Sequence, residues 1–486
     1  MVVKSAPHLH GKKSMIYGRL FSSLALLMSL ALGAVAQPAA SSKKSRGAPQ
    51  PTGASAKDRN IAKIVEGVSP AQVRHTIDWL ASFGNRNTLS VEQPASSGRG
   101  IAAARDWIKS EFERYSKECG GCLEVALDTF MEKPAERIPK PTEISNVYAV
   151  LRGTDPENAK RMYLVTGHYD SRNSDTLNIT DPAPGANDDA SGTAISLECA
   201  RVLSKHKFPA TIIFLAVAGE EQGLNGSRHF AKMAREKGWQ IEGVLNNDIV
   251  GGNQTPGDKL QNFNTVRVFS EGVPAAATDQ ELAQVRALGG ENDSPSRQLA
   301  RYVRETAAKY VSAPFHPTLI YRRDRYLRGG DHISFNQEGI AAVRFTEWRE
   351  DYNHQHQNVR SENGIEYGDL PKFVNFDYVA NVARVNAATL AALASAPAPP
   401  AHVKLLTKEL ENSSTLMWEP SPGGLAGGYE VLWRETTAPD WQQSKSVSKG
   451  ETRVTFPMSK DNVIFAVRAR DNKGHTSTAV VPLPER

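Results

Sequence analysis

Cysteine is scarce in this sequence: three residues in 486 (Cys119, Cys122 and Cys199), too few for a disulfide scaffold. Long apolar runs are scarce as well. The longest, residues 20–32, is 13 residues, short of the roughly 20 that a membrane-spanning helix needs. Acidic residues are missing altogether from residues 1–57, which carry eight Lys and Arg. That stretch alone accounts for the net charge of +5, because beyond it 50 basic residues face 53 acidic ones. A near-neutral body offers no basic stripe to a phosphate backbone, so nucleic acid is excluded as a partner. With 40% hydrophobic and 23% charged residues, the chain is neither disordered throughout nor collagen-like. Its length predicts two or three domains.

Lys12, Lys13 and Arg19 precede the apolar stretch, which ends in Ala34-Val35-Ala36 before Gln37. This is the layout of a secretory signal peptide over residues 1–36, and it predicts a secreted or periplasmic protein. Residues 37–56, rich in Pro, Ala, Ser, Lys and Gly, read as a flexible leader. Residues 73–83 and 100–115 have helical apolar spacing, as do 191–206 and 227–237. Residues 162–166 and 211–218 read as buried strands. Strands alternating with helices predict an α/β domain over residues 57–395, its sheet mostly parallel and covered by helices. APAPPA at 396–401 reads as a stiff extended spacer. Beyond it, residues 402–486 show short alternating strands (416–418, 428–434, 462–470) and predict a small all-β sandwich.

Five segments carry candidate chemistry: GHYDS at 167–171, GANDDASG at 185–192, GEEQG at 219–223, NND at 246–248 and YNHQH at 352–356. Three of them follow an apolar strand directly, and neighbouring strand ends of a parallel sheet form the ligand crevice. His168, Asp188, Glu221, Asp248 and a late histidine, His354 or His356, make a nitrogen and oxygen set without thiolate, suited to Zn²⁺. Five ligands exceed the needs of one catalytic zinc and match two ions sharing a carboxylate. In the Glu220–Glu221 pair, one carboxylate can ligate while the other stays free to take a proton from water. Asp170, two residues after His168, can accept the other imidazole N–H. Each segment alone has an ordinary explanation. A Glu pair is most often solvated surface, and Asp before Ala-Ser-Gly is a reasonable helix N-cap. Their order along the chain is what distinguishes them.

On these motifs, residues 60–395 resemble the M28 family of zinc aminopeptidases, the co-catalytic zinc exopeptidases. The resemblance implies two zinc ions per chain, with His168 and Asp248 on one, Glu221 and a late His on the other, and Asp188 between them. It implies Glu220 as general base, Asp170 as support for His168, and a peptide or protein substrate with a free N-terminus. The family usually shows Tyr-His-Thr at the last ligand; here His356 is the closer match. GGDHISF at 329–335 resembles a segment lining the same cleft, which makes Asp331 and His332 supporting or substrate-proximal residues rather than ligands. Arg322, Arg323, Arg325 and Arg328 precede it, and Arg325 is the candidate to face a substrate carboxylate or carbonyl. The Trp418 strand, Tyr429-x-Val431-x-Trp433 and Phe465-x-Val467 resemble a fibronectin type III module, a possible contact for cell surfaces or polymers.

Cys119-Gly-Gly-Cys122 predicts a small-loop disulfide in an exported chain, and Cys199 a buried free thiol. The competing functions are a carboxypeptidase or glutaminyl cyclase on the same fold, and a non-catalytic receptor or adhesion protein.

Overall fold

Strands whose residues are buried at every position need cover on both faces, and the runs at 161–168 and 211–217 are of that kind. The computed structural model describes residues 57–326 and 328–485, so the expected signal peptide and leader lie outside the described residues. An eight-stranded sheet forms from β1 (Leu123–Glu132), β2 (Thr142–Leu151), β3 (Arg161–His168), β4 (Thr211–Val217), β5 (Gln240–Asn247), β6 (Thr265–Ser270), β7 (His316–Ile320) and β8 (Ala342–Glu347). Its order is β1-β2-β4-β3-β5-β8-β6-β7. The central run β4-β3-β5-β8 is parallel throughout. Antiparallel pairs β1/β2, β2/β4 and β6/β8 flank it, so the sheet is mixed with a parallel heart.

The described residues contain nine helices: α1 (Arg59–Glu66), α2 (Pro70–Ser82), α3 (Gly100–Glu118), α4 (Ala190–Leu203), α5 (Asn225–Glu236), α6 (Asp279–Leu288), α7 (Pro295–Tyr310), α8 (His332–Gln337) and α9 (Phe376–Ser395), and all but α6 contribute buried residues. Alternation along the strands divides the core in two. Tyr163, Val165, Ile212 and Phe214 meet Ile77, Ile195, Val303 and Leu390 from α2, α4, α7 and α9. Met162, Leu164, Ile213 and Leu215 meet Phe230 and Phe335 from α5 and α8. Period-two side chains sandwiched between helical layers make a three-layer α/β/α body. Local signals set the helix starts. Ser69 caps α2 by accepting from Gln72 N, with Pro70 at the first position. Asp189 caps α4 by accepting from Gly192 N at 2.8 Å.

A hairpin of β9 (Arg360–Glu362) and β10 (Ile365–Tyr367) precedes α9. The C-terminal segment is β11 (Ala401–Leu406), β12 (Ser414–Glu419), β13 (Gly428–Glu435), β14 (Gln443–Ser448), β15 (Arg453–Phe456), β16 (Val463–Arg470) and β17 (Leu483–Glu485). They form a four-stranded sheet, β15-β12-β11-β17, and a three-stranded one, β14-β13-β16. Trp418, Tyr429, Val431, Phe465 and Val467 share their core.

The segment expected as a stiff extended spacer at 396–401 is largely buried. Ala396 and Ala398 are buried, and the Ala396 carbonyl accepts from Arg161 at 2.9 Å. The β sheets are tied to the α/β body by buried charge. Arg434 is bidentate on Asp293 at 2.8 and 2.9 Å, Arg301 reaches the same carboxylate at 3.3 Å, and Arg468 pairs with Glu305 at 2.7 Å. Cys119 and Cys122 form a disulfide, and Cys199 is a buried free thiol in α4.

His475, between Asp471 at 2.8 Å and Asp58 at 3.1 Å, joins the last turn of the β segment to the cap of α1. Burial alone would lower its pKa, but the two carboxylates outweigh burial and hold it above the usual imidazole value. A raised imidazole pKa gives stability that is complete below about pH 6.5 and lost as pH rises through the folded value. Melting temperatures measured from pH 6 to 9 are therefore expected to fall more steeply for the native chain than for His475→Gln. Parallel curves would contradict this role.

Candidate active site

The parallel heart of the sheet decides which loops meet. His168 is the last residue of β3, Glu220 and Glu221 lie just past β4, and Asp248 follows β5 directly. Because the order is β4-β3-β5, their carboxyl ends are neighbours and deliver these side chains to one crevice. The loop into α4 supplies Asp188, and the loop after β8 supplies His356.

Two triads result, each with its ligand atoms within 4.8 Å of one another: His168, Asp188 and Asp248, and Asp188, Glu221 and His356. Asp188 belongs to both and divides its oxygens between them. Its Oδ1 lies 3.1 Å from His168 Nε2, and its Oδ2 lies 2.8 Å from His356 Nε2. His168 Nε2 is 3.9 Å from Asp248 Oδ1, and His356 Nε2 is 3.0 Å from Glu221 Oε1. Asp189 does different work. Its carboxylate accepts from the backbone N–H groups of His168, Gly192 and Ile249, tying β3, α4 and the end of β5 together. Glu220 belongs to neither triad.

Packing gives the two late histidines different partners. The His354 ring stacks on Phe373 with centroids 3.6 Å apart, and its Nδ1 lies 2.7 Å from Asn253 Oδ1. Asp170 stands beside the His168 ring. The His168 Nδ1 is closer to the Asp170 carbonyl, 3.2 Å, than to its carboxylate, 3.4 Å. That carboxylate accepts from Thr88 Oγ1 at 3.0 Å and from Glu221 N at 3.2 Å, so it links the β3 and β4 loops.

Asp331, His332 and Arg325 are held by burial and pairing, Asp331 and His332 as supporting rather than exposed groups. Asp331 and His332 are fully buried, and His332 Nε2 lies 2.9 Å from the Arg323 carbonyl. Arg325 is committed to Asp324 at 3.0 Å, Glu350 at 2.8 Å and the Gly329 carbonyl at 3.2 Å.

Other residues complete the site without having stood out in the sequence. Asp369 accepts from Asn187 N at 2.8 Å and Asp188 N at 2.7 Å, fixing the backbone that carries the shared carboxylate. Fully buried Arg86 donates to the carbonyls of Tyr169 and Gly185 at 2.7 and 2.9 Å, clamping the loop ends together. Arg344 pairs with Asp248 at 2.8 Å, and Arg172 with Glu221 at 2.9 Å. Gln355 donates to Asp188 Oδ2 at 3.1 Å. Lone polar residues give no periodic signal; only the Arg172 position, one past GHYDS, could have been flagged.

The electrostatics call for cations. Burial, with Asp248, Glu221 and Asp331 adding to it, pushes Glu220 well above the usual carboxylate range. Burial also raises Asp248, although Arg344 pulls it down. For His356 burial is outweighed by Glu221 and Asp188, which push the ring up to about 10. The buried Nε2 of His168 makes no hydrogen bond despite its proximity to Asp188. Glu220 and Asp248, which resist ionising, beside an unpartnered imidazole nitrogen, fit a site made for a borderline divalent ion such as zinc.

The pattern of peptidase family M28 matches residues 146–370. A probable zinc metalloprotease of Pyrenophora teres f. teres is 47% identical over 430 residues, covering 88% of this chain and 87% of the relative. This chain belongs to peptidase family M28. As an M28 member it is a zinc metalloprotease. A probable zinc metalloprotease of Pyricularia oryzae is 46% identical over 434 residues, covering 88% of this M28 chain and 85% of the other. Among solved structures, the LapA aminopeptidase of Legionella pneumophila is 22% identical with a TM-score of 0.48, covering 69% of this chain and 74% of that one.

Removing the Asp369 carboxylate strands two backbone donors beneath Asp188. Asp369→Ala is expected to weaken zinc retention about 10- to 100-fold, read by elemental analysis after dialysis at limiting free zinc. Retention equal to the native chain's would show that Asp188 is held by other means.

Proposed function

We propose that this M28 peptidase is an exported aminopeptidase that uses two zinc ions to release N-terminal residues from peptides. The observation that carries the reading is the pair of triads sharing Asp188. His168, Asp188 and Asp248 would hold one ion, and Asp188, Glu221 and His356 the other. Zinc bound there would polarise the scissile carbonyl and lower the pKa of water beside it. Glu220, outside both triads and raised by burial and then by its carboxylate neighbours, is suited to take a proton from that water and return it to the departing amine. Asp170 keeps the His168 proton on Nδ1, leaving Nε2 free to ligate. The surplus of carboxylate at the crevice favours a substrate that brings an ammonium, which a free N-terminus does. Two triads favour a two-ion hydrolase over a one-zinc glutaminyl cyclase.

Residues 1–36 serve in this reading as a signal peptide, with the Cys119–Cys122 disulfide at home in an oxidising compartment. The seven C-terminal strands, arranged four and three, are read as a fibronectin type III-like module with a cell-surface or polymer contact.

Glu220→Gln is expected to keep its zinc and lose about 10²- to 10⁴-fold in kcat on aminoacyl-anilides, with N-acetylated peptides uncleaved by the native chain. Near-native turnover by the variant would remove Glu220 as the base. Cleavage of N-blocked but not C-blocked peptides would make the protein a carboxypeptidase.

A further inference from the structure

The two triads differ in what stands behind their histidines. A histidine that ligates through Nε2 carries its proton on Nδ1 and needs an acceptor there. His168 has one in the Asp170 carbonyl oxygen, 3.2 Å away. His356 has the opposite: Arg172 Nη2 lies 2.6 Å from its Nδ1. A guanidinium offers donors and no acceptor. The same side chain places Nε 2.9 Å from Glu221 Oε2, so one positive charge engages both residues that this triad does not share.

We propose that Arg172 makes the two cation sites unequal, so that the Glu221–His356 site binds its zinc more weakly and exchanges first. The proposal deepens the two-ion reading above and rests on it. Without a cation the network closes on itself. Arg172 Nη2 lies beside Nδ1, and Nε2 faces Asp188 Oδ2 at 2.8 Å and Glu221 Oε1 at 3.0 Å. A zinc ion held by Nε2 and Glu221 would share both residues with the guanidinium's positive charge, and the ligating ring would meet a donor at Nδ1 where it needs an acceptor. The other triad has an arginine nearby too, but Arg344 divides itself between Asp248 at 2.8 Å and Asp324 at 3.1 Å. Among the described residues, the one carboxylate paired with Arg172 is Glu221. Nor does Glu221 depend on Arg172 for its place. Its N–H donates to Asp170 at 3.2 Å, and its carbonyl accepts from Arg137 at 2.9 Å. Arg172 is thus a positioning residue that acts through His356.

The test is zinc content of the full chain against free zinc buffered by graded chelator, for the native protein, Arg172→Gln, Arg172→Met and Arg172→Lys. Melting of the metal-free proteins checks folding. Two loss steps are expected for the native chain. Arg172→Gln, whose amide oxygen can accept from Nδ1–H, should tighten the weaker step about tenfold or more and leave the tighter one in place. Arg172→Met should tighten it less, and Arg172→Lys should stay near native. If Arg172→Gln fails to fold, Met against Lys decides by the same comparison. A weaker step unmoved or loosened by loss of the charge overturns the proposal and leaves the two-ion reading standing. A native chain that holds fewer than two zinc ions at saturation overturns both.

Discussion

Asp188, Glu220, Glu221 and Asp248 are gathered at one rim of the sheet, three of them almost wholly buried. Carboxylates resist being taken out of water together, and such a cluster persists only when positive charge is supplied to it. The chain supplies part of that charge itself, through Arg172, Arg344 and two imidazoles. The remainder falls to metal. This constraint explains why the surrounding framework is so heavily fastened. Asp369 pins the backbone beneath Asp188, Asp189 staples three strand and helix ends, and Arg86 holds the loop entering α4. None of these touches a substrate; each limits how far the crowded carboxylates can move apart.

The body of the protein was readable from periodicity because the strands are buried on both faces and so appear as unbroken apolar runs. Met162 to Thr166 and Thr211 to Val217 are such runs, and the order of motifs following them located the crevice. The antiparallel flanks were less legible, since strand direction depends on partners distant in sequence. The site's support was illegible for a similar reason. Asp369 and Arg86 are single polar residues in loops, and their importance comes from the backbone groups they reach. His354 and His356 differ by two positions in one loop. Only packing separates them, one ring lying on Phe373 and the other reaching Asp188 and Glu221. Asp331 and His332 belong to the GGDHISF motif by pattern, and only burial shows them as supporting groups rather than exposed ones.

The C-terminal strands changed meaning most. Composition alone suggested a module on a stiff spacer. Instead the spacer is buried and the strands are joined to α7 and the α1 cap by charges shared across the boundary, with Asp293 serving both Arg301 and Arg434. Breaking one partner of such a buried set is costly, so these sheets are coupled to the fold of the peptidase body.

The most direct test is a crystal grown with excess zinc and measured on both sides of the zinc absorption edge. Two anomalous peaks are expected, one among His168, Asp188 and Asp248 and the other among Asp188, Glu221 and His356. A single peak, or density away from Asp188, would contradict the account.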